Sequence, residues 1–247
     1  MDKVVLITGA GNGNGFEISN HLIESGYKVC LVDKDISKIK KKYIKLNTSS
    51  ILLLKLDLSI SNNYEKVVKK CLSKFKKLDI LINNAGITLP KNILKYSRKD
   101  FQKTININLE IPFLLIQSTI KYLAKSKNYG RIINITSLSS HTGFSNNPAY
   151  AASKGGLRYL SKSLANDLSK YKILINNICP GYIRTSMTAK SYNDKNKFKY
   201  RNDRTLLKRW GESKDLISAV DFLLDDRSTY ITGSDIVVDG GWLSKGL

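Results

Sequence analysis

Cysteine and histidine are scarce in this chain of 247 residues, with three and two residues respectively. Cys30, Cys71 and Cys179 are odd in number and far apart, without paired or metal-like spacing, so we expect reduced, buried thiols and neither disulfides nor a metal site. His21 falls on the first expected helix, where we expect it at the surface. His141 has no partner in the sequence and stays outside the catalytic set.

Long apolar runs are also missing. No stretch approaches the roughly 18 residues needed to span a bilayer. The first expected strand begins almost at Met1, which leaves no place for a signal peptide. We therefore expect a cytoplasmic protein without a membrane partner.

Acidic residues are few relative to basic ones: 41 Lys and Arg oppose 20 Asp and Glu, for a formal net charge of +21. Such a charge is typical of proteins that bind nucleic acid or a membrane surface. The lysines, however, are scattered over the polar faces of expected helices, as at 38–42 and 66–70, and no known nucleic-acid motif accompanies them. A nucleic-acid partner is therefore disfavoured.

Short apolar runs alternate with longer amphipathic stretches along the whole chain. The runs predict strands at 3–7, 28–32, 51–55, 79–82, 131–136, 173–178 and 235–238. The amphipathic stretches predict helices near 14–25, 36–46, 60–77, 98–125, 149–170 and 213–225. This alternation predicts a Rossmann-like, doubly wound α/β fold with about seven parallel strands and helices on both faces. We expect a single domain, 1–247, with a polar, basic, irregular and mobile segment at 185–204.

The stretch TGAGNGNGF, residues 8–16, follows the first expected strand directly. In a doubly wound sheet this turn carries a dinucleotide pyrophosphate, and glycines keep Cβ atoms away from the phosphates. The spacing G-x-G-x-x-G does not fit, because Asn14 occupies its last glycine position, whereas T-G-x-x-x-G-x-G fits with Thr8, Gly9, Gly13 and Gly15. A tight turn without a ligand is the alternative interpretation.

Asp33 ends the second expected strand, 20 residues beyond Gly13. A carboxylate at this place accepts hydrogen bonds from the adenosine ribose hydroxyls and repels a 2′-phosphate, so it favours NAD over NADP. The adjacent Lys34 weakens that preference, and a solvated turn residue is the alternative interpretation of Asp33.

Further motifs, taken in order, resemble those of the short-chain dehydrogenase/reductase family, single-domain type of about 250 residues. They are LDLS at 56–59, NNAG at 83–86, YAASK at 150–154, PGYIRT at 180–185 and ITGSDIVVDGG at 231–241. Ser137 lies 13 residues before Tyr150, the separation usual in the family. The resemblance implies an oxidoreductase that interconverts a secondary alcohol and a ketone by hydride transfer with a nicotinamide cofactor.

The catalytic residues implied by the resemblance are Asn108, Ser137, Tyr150 and Lys154. A tyrosine hydroxyl titrates near 10, too high for an efficient base at neutral pH. Lys154 shares a helix face with Tyr150, and its ammonium, together with the charge of oxidised nicotinamide, is expected to lower the Tyr150 pKa. An ordinary amphipathic helix would give the same spacing. Ser137 favours the catalytic interpretation, because it ends an apolar strand where such sheets place ligands.

Two of these residues have rivals nearby. Ser139 and Ser140 follow Ser137 but lack the family separation from the tyrosine. The resemblance places the family's helix asparagine, which supports a water of the proton relay, at Asn108 rather than Asn106. A helix cap or bend is the alternative interpretation of an asparagine in a helix.

The resemblance also implies the residues that bind the cofactor. They are Gly9, Asn12, Gly13, Asn14, Gly15, Asp33, Asp57, Leu58, Asn84, Ala85, Gly86, Tyr150, Lys154, Pro180, Gly181, Ile183 and Thr185. Among them Asp57 is expected beside the adenine, and Ile183 and Thr185 at the nicotinamide carboxamide. Asn14 stands where the family usually has an aliphatic residue, so we expect altered local packing rather than lost binding.

The polar loop at 141–150 and the basic lid at 185–204 favour a polar or anionic small-molecule substrate, such as a sugar, sugar acid, nucleotide-linked sugar or polyol. The alternative within the family is 3-oxoacyl thioester reduction with NADPH. The positions that dock acyl carrier protein in that subgroup correspond to Asn128 and Tyr171, which are not cationic, although lysines flank both.

Two further expectations concern partners. The resemblance implies a homo-oligomer, commonly a tetramer, and the spacing of Leu157, Leu160 and Leu164 suits such a seam as well as packing on the sheet. A non-catalytic basic scaffold or nucleic-acid-binding protein is the alternative of a different class. It predicts a degraded active site, whereas the serine, tyrosine and lysine are all present.

Overall fold

A computed structural model describes residues 2–43 and 49–245. The strands are β1 (Val4–Thr8), β2 (Lys28–Asp33), β3 (Ile51–Lys55), β4 (Ile80–Asn83), β5 (Gly130–Ile135), β6 (Ile173–Pro180) and β7 (Asp235–Val238). The α-helices are α1 (Gly13–Glu24), α2 (Ser37–Tyr43), α3 (Asn63–Phe75), α4 (Arg98–Ile105), α5 (Ile111–Leu123), α6 (Pro148–Leu168), α7 (Ala189–Tyr192), α8 (Lys195–Arg204) and α9 (Ile217–Leu224). None of the helices in the described part of the chain is long and apolar enough to cross a membrane.

All seven strands form one parallel sheet in the order β3-β2-β1-β4-β5-β6-β7. The chain runs outward from β1 to β3 and then returns to place β4 on the other side of β1. This reversal opens a crevice beyond the carboxyl ends of β1 and β4, which is where open α/β sheets bind ligands. The predicted Rossmann-like single domain with a seven-stranded parallel sheet is confirmed.

Strand β1 shows why the expected strands are apolar throughout. Val5 and Ile7 belong to the hydrophobic cluster on one face of the sheet, and Val4 and Leu6 to the cluster on the other. All four side chains are fully buried. Successive strand residues point to opposite faces, so a sheet covered on both sides needs every position to be apolar. The three cysteines are free and buried, as expected.

Helix bounds differ from the prediction in three places. The helix predicted at 98–125 consists of α4, a π-helical turn at Asn106–Glu110, and α5. The helix predicted at 213–225 begins as a 3-10 turn, Ser213–Leu216, ahead of α9. The helix predicted at 36–46 is described as far as Tyr43, and its remainder lies outside the described residues.

The prediction of irregular structure at 185–204 is wrong, because the segment contains α7 and α8. Asp194 caps α8 by accepting the N–H groups of Asn196 and Lys197 at 3.1 and 3.0 Å. Tyr192 packs edge-on against the Trp210 ring, with the ring centroids 5.2 Å apart. A few aromatic side chains hold this segment in place, and their contacts leave no apolar periodicity in the sequence.

His21 lies at the surface, where we expect it, but it has a partner there. Its Nε2 lies 2.6 Å from Asp221 Oδ1, and its side chain is 27% exposed. Because Asp221 belongs to α9, this pair links the first helix to the last one. The two partners are 200 residues apart, so no local pattern around His21 indicates the contact.

Candidate active site

The glycine turn between β1 and α1 leaves no room for side chains. Gly9 and Gly13 have φ angles of +65° and +53°, in the region that favours glycine. A Cβ atom on Gly15 would lie 2.1 Å from the Gly9 carbonyl oxygen. Asn12 caps α1 by accepting the Gly13 N–H at 2.8 Å, so the positive end of the helix dipole faces the turn. This arrangement fits the pyrophosphate of a dinucleotide.

The turn is fastened to the end of β4 by Thr8 and Asn84. Asn84 Nδ2 donates to the carbonyl oxygens of Thr8 and Gly9, both at 3.0 Å. Thr8 Oγ1 accepts the N–H groups of Asn84 and Ala85, both at 3.1 Å. The sequence did not indicate that Thr8 and Asn84 hold the glycine turn against β4. Both residues nevertheless belong to motifs, Thr8 to the glycine motif and Asn84 to NNAG.

The loop after β6 forms the opposite side of the crevice. A Cβ atom on Gly13 would lie 3.2 Å from Thr185 Cγ2, so Thr185 faces the glycine turn directly. Ile183 is buried in the core beside it. Asn14 Oδ1 accepts a hydrogen bond from Ser213 Oγ at 2.8 Å, which is the altered packing expected at this position. The predicted cofactor residues of the glycine turn and of the loop after β6 are thus brought together, although they are about 170 residues apart in the chain.

The acidic residues of the predicted adenosine side follow two neighbouring strands: Asp33 is the last residue of β2, and Asp57 lies in the turn after β3. Asp33 Oδ2 accepts the Gly11 N–H at 2.8 Å, which holds the carboxylate beside the glycine turn. Asp57 Oδ1 accepts the Ser59 hydroxyl at 2.7 Å and its N–H at 2.9 Å, and these bonds lower the Asp57 pKa. Leu58 places its side chain in the core.

The C-terminal signature supplies packing as well as site residues. Pro180 ends β6, and its partner in the sheet is Val238. A Cβ atom on Gly181 would lie 2.6 Å from Asp239 Cα. Close approach of the β6 and β7 ends therefore requires glycine at 181, whether or not a cofactor is bound.

Ser137 and Tyr150 form the centre of the candidate catalytic group. Ser137 follows β5, and Tyr150 lies in the first turn of α6. Burial raises the Tyr150 pKa, and the nearby Ser137 side chain opposes this rise. The lowered pKa predicted from the sequence includes the charges of Lys154 and of oxidised nicotinamide. The residues of the chain by themselves raise the Tyr150 pKa, because the cost of burying a phenolate outweighs the effect of Ser137.

Lys154 lies one turn further along α6 and is 4% exposed. Its Nζ donates to the Ile135 carbonyl oxygen at 2.7 Å. Burial lowers the pKa of this ammonium to about 8. Cys179 is close enough to act electrostatically on both Tyr150 and Lys154, but burial raises the pKa of its thiol to about 12, so it stays protonated.

Asn108 is fully buried in the π-helical turn. Its Oδ1 accepts the Ile87 N–H at 2.8 Å, and its Nδ2 donates to the Ile87 carbonyl at 2.9 Å and to Ser153 Oγ at 3.0 Å. A Cβ atom on Gly86 would lie 3.3 Å from Asn108 Oδ1 and 3.5 Å from Lys154 Nζ. Gly86 therefore provides the gap in which these two side chains approach each other.

The three residues that could have replaced Asn108 or Ser137 in the candidate catalytic group make other contacts. Asn106 Nδ2 donates to Glu110 at 3.1 Å on the exposed side of the helix. Ser139 contributes only its N–H, to Ser137 Oγ at 3.2 Å, and the Ser140 hydroxyl donates to the Ser137 carbonyl. Both neighbouring serines therefore orient Ser137. Ser153, which binds Asn108, was missed, although it lies inside YAASK.

Comparisons with known proteins agree with this geometry. A family model described as Enoyl-(Acyl carrier protein) reductase matches residues 9–243. The chain is similar to 2-dehydro-3-deoxy-D-gluconate 5-dehydrogenase of Dickeya dadantii (strain 3937), with 34% identity over 98% of this chain and 96% of that protein. It is similar to a 3-oxoacyl-[acyl-carrier-protein] reductase of Buchnera aphidicola subsp. Schizaphis graminum (strain Sg), with 35% identity over 97% of this chain and 96% of that one. The solved structure of 4-hydroxyisoleucine dehydrogenase complexed with NADH superposes with a TM-score of 0.92 and 33% identity, covering 99% of this chain and 100% of that chain.

Proposed function

Because this chain belongs to the short-chain dehydrogenase/reductase family and is an NAD(P)-dependent oxidoreductase of CH–OH groups, we propose that it interconverts a secondary alcohol and a ketone on a sugar acid or a similar polar substrate, with NAD(H). One observation carries this proposal. Ser137 lies close enough to Tyr150 to act on its pKa, and the buried Lys154 lies one helical turn from Tyr150, bonded to the end of β5.

The proposed chemistry assigns one task to each side chain. When bound, oxidised nicotinamide supplies the hydride acceptor and a positive charge that opposes the effect of burial on the Tyr150 pKa. Tyr150 takes the proton of the substrate hydroxyl in oxidation and returns it in reduction. Ser137 donates a hydrogen bond to the same oxygen and stabilises its developing negative charge. Lys154 and Asn108, which both lie beside Gly86, hold the path by which Tyr150 exchanges its proton.

The residues that would hold the cofactor line the crevice from end to end. The glycine turn and the first turn of α1 face the pyrophosphate, and Thr185 closes the opposite side. Asp33, fixed by Gly11, supports NAD because its carboxylate accepts ribose hydroxyl groups and repels a 2′-phosphate. The structure neighbour in complex with NADH is consistent with this choice.

Two observations support a sugar acid as substrate. The relative from Dickeya dadantii is named for its action on 2-dehydro-3-deoxy-D-gluconate, a carboxylate with several hydroxyl groups. Helix α8, in the proposed lid at 185–204, carries Lys195, Lys197, Lys199, Arg201 and Arg204, which favours an anion at this edge of the crevice.

Reduction of a 3-oxoacyl thioester is the second candidate, supported by the Buchnera aphidicola relative and by the description of the family model. It requires a surface that docks an acidic carrier protein. Asn128 and Tyr171 occupy the positions where that subgroup has basic residues, and Asp33 opposes NADPH. These residues favour the sugar-acid proposal.

The test begins with titration of the purified chain with NADH and NADPH, followed by nucleotide fluorescence. We expect tighter binding of NADH, and loss of that preference in Asp33→Ala. Asp35→Ala is the matched control, because Asp35 lies two residues away and its carboxylate accepts hydrogen bonds from Ser37, while its backbone is unchanged by the substitution. Oxidation of D-gluconate with NAD then tests the substrate class. Preference for NADPH together with turnover of a 3-oxoacyl thioester would replace the proposal by the second candidate.

We also propose a homo-oligomer, commonly a tetramer in this family, and a cytoplasmic location. A groove between α5 and α6 supports the first proposal: Phe113 and Tyr171 line it and are 37% and 43% exposed. Light scattering of the purified chain measures its mass, and a monomer at micromolar concentration would contradict the proposal.

A further inference from the structure

A cluster of aromatic and arginine side chains lies beyond the catalytic group. This aromatic–arginine cluster consists of Tyr182, Arg201, Arg204, Trp210 and Trp242. The Arg204 guanidinium lies 4.4 Å from the Trp242 ring centroid, and the Arg201 guanidinium lies 4.4 Å from that of Tyr182. Both tryptophans are 5% exposed. The ring faces therefore hold the two guanidinium groups of α8 in place.

The cluster adjoins the catalytic group. Phe144 belongs to the loop between Ser137 and Tyr150, and its ring centroid lies 5.4 Å from that of Trp242 and 6.2 Å from that of Tyr182. On the other side, Tyr182 follows the end of β6, three residues after the Cys179 thiol that acts on Tyr150. The cluster is therefore joined to the catalytic group through two segments, the loop that carries Phe144 and the chain that follows Cys179.

Three N–H donors of the cluster are buried without an acceptor. They are Arg204 Nε, Trp210 Nε1 and Trp242 Nε1, none of which has a hydrogen-bond partner within the described residues. Buried donors are nearly always satisfied in folded proteins, by protein groups, by ordered water or by a ligand, so these three donors are free to bond an acceptor from outside the chain. Because all three are donors, the missing group is an acceptor and not a donor.

The two arginines also lack an internal counter-ion. Within residues 2–43 and 49–245, neither Arg201 nor Arg204 forms an ion pair with a carboxylate, whereas Arg158 pairs with Asp235 at 2.6 Å. The acidic side chains near α8 are engaged elsewhere. Asp203 pairs with Lys199 at 2.6 Å, and Asp239 accepts two backbone N–H groups, those of residues 241 and 243.

We propose that Arg201 and Arg204 bind the carboxylate of the substrate. The inference rests on the proposed function, and it names the side chains that select an acid over a neutral polyol. A guanidinium offers parallel N–H donors that match the two oxygens of a carboxylate, and stacking on Tyr182 and Trp242 orders them before the substrate arrives. The carboxylate would supply the anionic acceptor that Arg204 lacks. The cluster therefore determines substrate class, whereas Tyr150 and Ser137 act on any secondary alcohol.

Intrinsic fluorescence tests this proposal without a label, because the only two tryptophans of the chain both belong to the cluster. The full chain, with NAD present, is titrated with D-gluconate and with D-sorbitol, which differ only in a carboxylate against a CH₂OH group. We expect a saturable change with gluconate at a concentration about tenfold or more below that needed for sorbitol, as a charged hydrogen bond implies. Equal responses, or none with gluconate, would overturn the proposal.

Variants then locate the effect. Arg204→Met and Arg201→Met keep an apolar stem against the rings and remove the charge, so each is expected to weaken gluconate binding about tenfold and to leave sorbitol unchanged. Arg98→Met, an exposed arginine at the start of α4, is the matched control. Arg204→Lys keeps the charge but not the planar fork, and we expect several-fold weaker binding. If Arg204→Met does not fold, Arg204→Lys is the deciding variant. An unchanged affinity of Arg204→Lys for gluconate would refute the role of Arg204.

Turnover separates this proposal from the proposed function. If Tyr150→Phe still binds gluconate with dependence on Arg204 but the wild-type chain oxidises no secondary alcohol, the carboxylate site stands and the proposed function fails. If the wild-type chain oxidises acids and neutral polyols alike, and the arginine variants retain their KM for gluconate, the proposed function stands and the carboxylate site fails.

Discussion

The catalytic group and the aromatic–arginine cluster lie at the same edge of the sheet, but they differ in whether their polar atoms are hydrogen-bonded within the chain. Three of the candidate catalytic side chains are held by bonds within the chain: Lys154 to the Ile135 carbonyl, Asn108 to the Ile87 backbone, and Ser137 to the Ser139 N–H. The arginines of the cluster are instead held by ring faces, and three N–H donors of the cluster have no partner in the described part of the chain.

This difference separates chemistry from recognition. Proton transfer needs groups that keep one geometry whichever substrate is present, and buried hydrogen bonds fix that geometry. Recognition of a charged substrate needs hydrogen-bonding capacity that the protein has not already used. Ring faces restrain a guanidinium without occupying its N–H groups, and so they suit the second task.

The largest effect is expected from Tyr150→Phe, which removes the proton-transfer hydroxyl and keeps the ring. We expect kcat to fall about 10² to 10⁴-fold with little change in NADH affinity. Rates follow NADH absorbance, and binding follows nucleotide fluorescence. Tyr159→Phe is the matched control on the same helix, because Tyr159 is 65% exposed. A variant that kept most of its rate would break the division between chemistry and recognition.

Ser137→Ala comes next. It removes the hydroxyl that faces the substrate oxygen and that opposes the raised Tyr150 pKa, so we expect a loss of roughly 10² to 10³-fold in kcat and a shift of the rate profile to higher pH. In Ser139→Ala the backbone N–H that orients Ser137 is retained, and we expect a nearly normal rate. Equal losses in both variants would contradict the assignment of Ser137.

A smaller effect is expected from Asn108→Ala, which leaves the Ile87 N–H and carbonyl without their side-chain partner in a buried site. We expect a loss of about 1–3 kcal/mol in the free energy of unfolding, measured by urea denaturation, and a lower kcat. Asn106→Ala, two residues away and paired only with Glu110, should cost less than about 0.5 kcal/mol. If the two variants were equally stable, the buried network would not be what fixes the catalytic group.

The effect expected to be smallest at neutral pH is the pH dependence that Lys154 contributes to stability, because it develops only above about pH 8. Its pKa is about 8 in the folded chain, against 10.5 for an exposed lysine, so between these pH values the unfolded chain binds more protons. Stability should therefore rise as pH increases through this window and be flat with respect to Lys154 below it. The melting temperatures of the wild type and Lys154→Met should converge as pH rises from about 8. The difference in melting temperature between the wild type and Lys162→Met, a variant on the same helix, should not change with pH in this way. If the melting temperatures of Lys154→Met and wild type changed in parallel with pH, burial would not lower the pKa of the Lys154 ammonium.

Much of the site could be predicted because its motifs are local. The Tyr150–Lys154 spacing is one helical turn, and Ser137 and Asp33 follow apolar strands whose carboxyl ends must share one edge of a parallel sheet. The two helices at 185–204 were missed because they depend on contacts of Tyr192 and Phe198 with Trp210. The burial that raises the Tyr150 pKa could not be predicted, because burial of a side chain is set by the whole fold and not by its neighbours in sequence.

The sequence by itself determined the order of the strands, the helices outside 185–204 and the glycine turn, since periodicity and covalent spacing act over a few residues. The four candidate catalytic residues followed from the resemblance of its motifs to those of the family. Only the tertiary structure decided that Thr185 faces Gly13, that Asn14 binds Ser213, and that Arg204 stacks on Trp242 with an unpartnered N–H. These contacts join segments far apart in the chain. Their geometry and burial depend on how the helices and loops pack around the sheet, and no local pattern encodes that packing.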